Sequence, residues 1–294
     1  SPEGLSVTFS RLATPRATLE VLGAHGLGTR KSLGQHFLVD DNIVGRILDL
    51  AALEPYTTVL EVGPGIGTLT LALCDSASAV VAVERDVRLE PVLVDTLGAC
   101  ANSAVIYADA LDVTPGQLAE PFGPPTAFVA NLPYAVAATL VLRYFEVMPD
   151  LAFCVVMVQS EVADRMLAVP GTKDYGSYSV KLQLLAGPGG RFGVPRTCFL
   201  PPPLVDSAVV RLDRRVTPPA EETRLAAAAL ADIAFAQRRK TLRNTLKAGL
   251  PGGAEATDAL LESAGIDGGR RAETLSVDEY LEMGRNAQKL CLLP

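Results

Sequence analysis

Glu61-Val-Gly63-Pro-Gly65-Ile-Gly67-Thr68 lies where an apolar run gives way to a helical pattern. Glycines there let the backbone turn sharply and let a ligand come closer than a Cβ would permit. The spacing is Gly-x-Gly-x-Gly, not the Gly-x-Gly-x-x-Gly of dinucleotide folds, and no Lys-Ser/Thr pair follows to make a phosphate loop. About twenty residues further on, the next apolar run ends in Glu84, whose carboxylate can accept both hydroxyl protons of a ribose. The run after that ends at Asp109, a potential acceptor for an adenine amino group. Singly, each acid reads more readily as a cap or turn residue, and a plain strand-to-helix turn stays open for the glycines. Together they outline a nucleoside pocket.

Asn131-Leu132-Pro133-Tyr134 closes the following run and points to a reaction. The lone pair of an exocyclic amine is delocalised into its base, so methylating it requires that the lone pair be localised and aimed. The Asn131 side-chain oxygen and the Leu132 carbonyl, held still by Pro133, can accept the two N–H bonds, and Tyr134 can stack on the base. The proton becomes acidic only once nitrogen carries the new methyl, so no general base is needed beforehand. That suits a chain with only two histidines, His25 and His36, which also makes zinc chemistry and a Ser-His-Asp hydrolase poor readings; no metal site is expected.

These residues need a scaffold. Length (294 residues), 49% hydrophobic content and 20% charge describe a globular chain with a sizeable core. No apolar run approaches the roughly 20 residues of a membrane span. The order of a secretory signal is absent, and five scattered cysteines fit a reducing cytoplasm. Asp40-Asp41-Asn42 should cap a helix carrying Ile43, Ile47, Leu48 and Leu50. Strand-like runs at 58–62, 79–83, 104–107, 127–130 and 153–158 then alternate with helical stretches at 69–74 and 137–147, which implies a parallel sheet. Two further strands, 181–185 and 207–212, separated by Gly187-Pro-Gly-Gly190 and Pro201-Pro-Pro203, are expected at its edge. Beyond Pro218 the pattern is helical. The expected domains are an N-terminal extension to which no function is assigned (1–30), a sheet domain (31–217) and a helical domain (218–294).

The Gly63 loop, Glu84, Asp109 and Asn131–Tyr134 resemble an S-adenosylmethionine-dependent adenine N6-methyltransferase. Lys31-Ser-Leu-Gly-Gln35-His36-Phe37-Leu38, Phe199-Leu-Pro-Pro-Pro-Leu-Val205-Asp-Ser207 and Phe235-Ala-Gln-Arg238-Arg-Lys-Thr-Leu-Arg243-Asn244 narrow the resemblance to the dimethyltransferases of small-subunit ribosomal RNA, the KsgA/RsmA family. The resemblance implies a Rossmann-like class I methyltransferase α/β sheet with helices on both faces and a small all-helical C-terminal domain. It makes His36, Leu38, Gly63, Gly65, Gly67, Glu84, Asp109 and Asn131 contacts for S-adenosylmethionine. Asn131 to Tyr134 would hold the target adenine, with Phe199 stacked on its other face. His36 stands where the family usually has Asn. The implied activity is N6-dimethylation of two adjacent adenosines in a hairpin near the 3′ end of small-subunit rRNA, by a cytoplasmic, monomeric enzyme whose partner is the small subunit.

The net charge of −7 argues against a polyanionic partner, but 191–247 carries 11 basic against 5 acidic residues. If 238–247 is one helix, Arg239, Lys240, Arg243 and Lys247 share a phosphate-facing stripe, with Arg238 at its start. Phe235, Leu242 and Leu246 should then face the core. Three other readings stay open: a resistance-type enzyme acting on large-subunit rRNA, an assembly factor in which binding outweighs methylation, and, distantly, a nicotinamide oxidoreductase.

Overall fold

The computed structural model describes residues 8–28 and 35–293. In chain order its elements are α1 (Pro15–Ala24), β1 (Phe37–Leu38), α2 (Asp41–Ala51), β2 (Thr58–Val62), α3 (Thr68–Ser76), β3 (Ala79–Glu84), α4 (Glu90–Leu97), β4 (Ser103–Tyr107), α5 (Pro115–Ala119), β5 (Ala127–Asn131), α6 (Ala137–Val147) and β6 (Phe153–Gln159). Then come α7 (Ser160–Leu167), α8 (Ser177–Gln183), β7 (Ala186–Val194), β8 (Phe199–Leu200), β9 (Ser207–Arg214), α9 (Glu221–Phe235), α10 (Leu242–Gly249), α11 (Gly253–Ala264) and α12 (Val277–Lys289).

Seven strands form one sheet in the order β4-β3-β2-β5-β6-β9-β7. Strands β4, β3, β2, β5 and β6 are parallel neighbours, and β9 runs antiparallel to β6. All five residues of β2 are buried, as expected of a strand covered on both faces. Successive side chains show the two layers. Val129 of β5 packs in a cluster with Ile47 of α2 and Leu73 of α3, while the adjacent Phe128 meets the ring of Tyr144 in α6 at 5.1 Å. Because the strands are parallel, their carboxyl ends share one edge, and Gly63, Glu84, Asp109 and Asn131 sit there.

The expected cap of α2 is present: the Asp40 carboxylate accepts from the backbone of Asn42 and Ile43. At the other end, the Arg211 guanidinium donates to the carbonyls of Leu50 and Ala51, each at 2.8 Å, and so satisfies two of the orphan acceptors that end the helix.

Several expectations about the scaffold change. The stretch at 181–185 falls in and just after helix α8. Its alternation of apolar and polar residues imitates a strand, but Val180 and Leu182 are buried from that helix and Leu184 from the residue that ends it. Gly187-Pro-Gly-Gly190 does not separate strands; it lies inside β7, at the sheet edge, where a proline without an N–H is tolerated. Within 1–30, the described residues are not a loose lead-in. Thr14 caps α1, with Pro15 in its first turn, and Leu12 and Leu22 are buried in a core cluster with Ile66, Leu89 and Leu93. Residues 31–34 of the Lys31–Leu38 segment lie outside the described residues.

The chain divides into two compact units, 1–160 with 188–213, and 161–187 with 214–294. The boundary expected at 217/218 therefore assigns 161–187 to the other unit. Aromatic packing explains this: Tyr175 meets Phe235 at 6.0 Å, Phe235 meets Tyr280 at 6.2 Å, and the hydroxyls of Tyr175 and Tyr280 donate to the carbonyls of Leu275 and Ala272. Leu242 and Leu246 enter the same core, as expected.

Candidate active site

A cleft of about 570 Å³ opens along the carboxyl ends of β2 to β5. At its floor the Gly63 loop turns with φ of +73°, +59° and +90° at Gly63, Gly65 and Gly67. A Cβ at Gly65 would lie 3.2 Å from the Phe37 ring, so glycine is required there by both dihedral and space. Gly67 is set back from the cleft as the N-cap residue of α3 and offers no side-chain cap. The hydroxyl of Thr68, in the first turn of α3, is buried, lines the cleft and has no hydrogen-bond partner among the described residues.

Glu84 ends β3 with only 6% of its surface exposed. Its carboxylate accepts from the backbone N–H of Asp86 at 2.8 Å and of Gly65 at 3.3 Å, which ties the glycine loop to the neighbouring strand. Burial raises its pKa, and the two backbone donors act in the opposite direction. Asp109, just past β4, accepts from the backbone of Leu111 and faces Arg85 at 3.5 Å. Glu61, 1% exposed and lining the same cleft, was given no role by its position in the motif. Burial pushes its pKa up to about 8, opposed by a 2.6 Å hydrogen bond from Thr70 and reinforced by the charge of Glu84.

The other end of the cleft is assembled from distant parts of the chain. The Asn131 amide nitrogen donates to the backbone carbonyl of His36 at 3.2 Å, 95 residues away. The Leu132 N–H donates to Met157 on β6, which holds the tetrapeptide to the sheet. The Tyr134 hydroxyl bonds Ser207 at 2.7 Å, and its ring stacks on the His36 imidazole at 5.6 Å. Burial raises the Tyr134 pKa, so the ring stays a neutral phenol. His36 Nδ1 donates to the Pro201 carbonyl at 2.7 Å. Its imidazole thus buttresses Tyr134, and its main chain orients Asn131; no pattern of residue types announces the second role, because a carbonyl has none.

His36, Leu38, Gly63, Gly65, Glu84, Asp109 and Asn131 to Tyr134 all line this one cleft. Phe199 does not. It is 2% exposed, pairs with Leu38 across the β1–β8 ladder and packs in the core with Val155 and Val209. In this arrangement its ring has no open face for a base, and His36 is the ring beside Tyr134.

The basic segment is not one helix. Arg238, Arg239 and Lys240 lie on the turn after α9, and α10 begins only at Leu242. Arg243 and Lys247 share a face of α10, one turn apart, without Arg239 or Lys240 in line. Arg238 donates to the carbonyls of Lys173 and Tyr175 and faces Glu273, and Arg243 pairs with Asp258. Arg239, Lys240 and Lys247 are exposed and meet no acid among the described residues.

The sequence model for ribosomal RNA adenine dimethylases matches residues 26–289. The chain belongs to the ribosomal RNA adenine dimethylase family. It is an S-adenosylmethionine-dependent enzyme of that family, and the cleft fits the cofactor. Glu84 has lone pairs left for two ribose hydroxyls, and the orphaned Thr68 hydroxyl at an uncapped helix N-terminus suits a carboxylate. Among relatives, the ribosomal RNA small subunit methyltransferase A of Geobacillus thermodenitrificans is 43% identical over 92% of this chain and 95% of its own. That of Enterococcus faecalis is 42% identical over 96% and 98%. Among solved structures, the 23S rRNA methyltransferase ErmE is 28% identical with a TM-score of 0.65, covering 86% of this chain and 99% of its own. A dimethyladenosine transferase from Plasmodium falciparum, 24% identical, has the same fold with a TM-score of 0.73 over 87% and 99%. Among the described residues no helix is long and apolar enough to cross a membrane, and no cluster of ligating side chains could hold a metal.

Proposed function

We propose that this chain dimethylates N6 of two adjacent adenosines in a hairpin near the 3′ end of small-subunit rRNA, acting on the maturing small subunit in the cytoplasm. The observation that carries the adenine assignment is the hydrogen bond from Asn131 to the His36 carbonyl. It commits the amide nitrogen, which leaves the Asn131 oxygen as an acceptor facing the cleft. With the Leu132 carbonyl it receives the two N–H bonds of the target amine and turns the nitrogen lone pair out of conjugation with the ring. Tyr134, fixed by Ser207 and His36, supplies the stacking surface. Glu84 and Asp109 hold the nucleoside of S-adenosylmethionine, Gly63 and Gly65 admit it closely, and Leu38 closes the apolar wall. When bound, that cofactor supplies an electrophilic methyl group on a sulfonium centre. The amine proton is lost to water after transfer, so the absence of a nearby base is no obstacle.

The small subunit is favoured because the relatives that share 42–43% of residues over nearly the whole chain carry that name, whereas the large-subunit enzyme ErmE shares 28%. Arg239, Lys240 and Lys247, with Arg238 and Arg243, are assigned to the RNA phosphates. The test is tritiated methyl transfer to small and large subunits from cells lacking this activity, followed by hydrolysis to nucleosides. Dimethyladenosine on the small subunit, approaching four methyls per particle, is expected. Label on the large subunit alone would overturn the substrate assignment, and tight small-subunit binding without label would favour an assembly role.

A further inference from the structure

The loop from Pro201 to Ser207 joins β8 to β9 and is anchored at both ends to residues of the adenine end of the cleft. On the entering side, the Pro201 carbonyl accepts from His36. On the leaving side, the Asp206 carbonyl accepts from the Ser160 N–H at 3.1 Å, its carboxylate accepts from the Arg196 N–H at 3.0 Å, and Ser207 bonds the Tyr134 hydroxyl. Three consecutive prolines, with φ fixed by their rings, stiffen the span between the anchors. At its tip Leu204 is 93% exposed, next to a half-exposed Val205.

An isolated exposed leucine is ordinary. This one is held on a stiffened loop, three residues from each of two anchors, and so within about 10 Å of both along the chain. Those anchors are partners of His36 and Tyr134, the rings at which the base is placed. Target adenosines in a hairpin are stacked on their neighbours, and a base held on Tyr134 must leave a gap in that stack. An apolar side chain on a rigid support, inserted at the gap, offsets the lost stacking, as leucine and other wedges do between base steps elsewhere.

Resting on the proposed substrate, we infer that Leu204 is the wedge that occupies the base stack vacated by the target adenosine, making it a positioning residue for methylation of structured RNA. Its ligand is the base flanking the target. It does not touch the cofactor, and it has no part in the core, so its removal leaves both unchanged.

The experiment compares the full chain with Leu204→Ser and Leu204→Phe on unmethylated small subunits. It measures the single-turnover rate of methyl transfer at saturating enzyme, the subunit Kd, the S-adenosylmethionine Kd and Tm. The expected result is that Leu204→Ser transfers about tenfold more slowly, toward the lower end of the loss seen on removing a stacking partner. Its subunit Kd should change less than about threefold, with cofactor Kd and Tm as in the parent. Leu204→Phe, which keeps an apolar wedge, should retain at least about half the parent rate. A Leu204→Ser rate within about twofold of the parent would overturn the wedge, and so would a Leu204→Phe enzyme as slow as Leu204→Ser or a loss of cofactor affinity in step with rate. Absence of label with the parent enzyme would instead overturn the substrate reading, and the wedge with it.

Discussion

At one end of the cleft, Gly65 and Glu84 are 19 residues apart in the chain and joined through a backbone N–H; at the other, His36 reaches Asn131 across 95 residues and Pro201 across 165. The first end is made where consecutive parallel strands finish, so each motif carries its own geometry: a strand, a turn, an acid at the tip. The second is a set of side chains that hold one another, and each contact exists only after the sheet has formed. The end proposed for the cofactor is therefore set by backbone and tolerates little change in backbone shape. The end proposed for the base is set by tertiary hydrogen bonds, and its precision depends on every partner being in place.

The largest effect expected is at the base end. Asn131→Ala removes both the acceptor for the amine and the donor to the His36 carbonyl, and the rate of methyl transfer should fall about 10²–10³-fold, read as tritium incorporated per minute at saturating substrate. At the cofactor end, Gly65→Val forces a β-branched residue to a φ of +59° and pushes a side chain against Phe37. Calorimetry should find S-adenosylmethionine affinity reduced at least about tenfold, because non-glycine residues in that region are strained and the ligand's approach is filled. Unaltered affinity would mean that backbone shape does not govern this end.

The second unit offers a sharper contrast in charge. Arg239→Glu with Lys240→Glu reverses two exposed cations without touching the Arg243–Asp258 pair. Subunit binding should weaken about tenfold, with the salt dependence shallower by one to two units of slope, roughly 0.9 for each phosphate no longer engaged. An unchanged slope would remove this turn from the RNA interface.

The smallest effect concerns Glu61. Its pKa is raised on folding to about 8, so the folded state binds the proton more tightly than the unfolded chain does. Its stabilising contribution is full below the ordinary carboxylate range and declines as pH rises toward 8. Glu61→Gln cannot ionise and still offers Thr70 an acceptor. The parent's Tm should therefore fall relative to this variant between about pH 5 and pH 9, by a few degrees; a constant difference across that range would contradict a buried neutral carboxyl.

How much could be read in advance follows the same division. The strands that lead into Gly63, Glu84, Asp109 and Asn131 were legible within a residue or two, because short apolar runs bounded by turn residues and alternating with helical stretches fit a parallel sheet. Phe199 was misplaced because a motif names a residue type and not the face of the strand it points from. The stretch at 181–185 misled because period-two alternation over so few residues is shared by a short helix whose burial comes from tertiary packing. Helix α1 was missed although Thr14-Pro15 is a start signal, since only Thr18 and Leu22 mark its buried face. The break before Leu242 left no proline or glycine to announce it, and the carbonyl contact of His36 left no trace in residue type at all.

The most direct test of the two-ended cleft pairs one variant from each side, Glu84→Gln and Asn131→Ala, measuring cofactor Kd by calorimetry and methyl transfer at saturating cofactor on the same preparations. Glu84→Gln should lose about tenfold in affinity yet regain much of its rate once saturated, while Asn131→Ala should bind the cofactor within about fivefold of the parent and fail to turn over. Parallel loss of affinity and rate in both variants would contradict a cleft with separate cofactor and base ends.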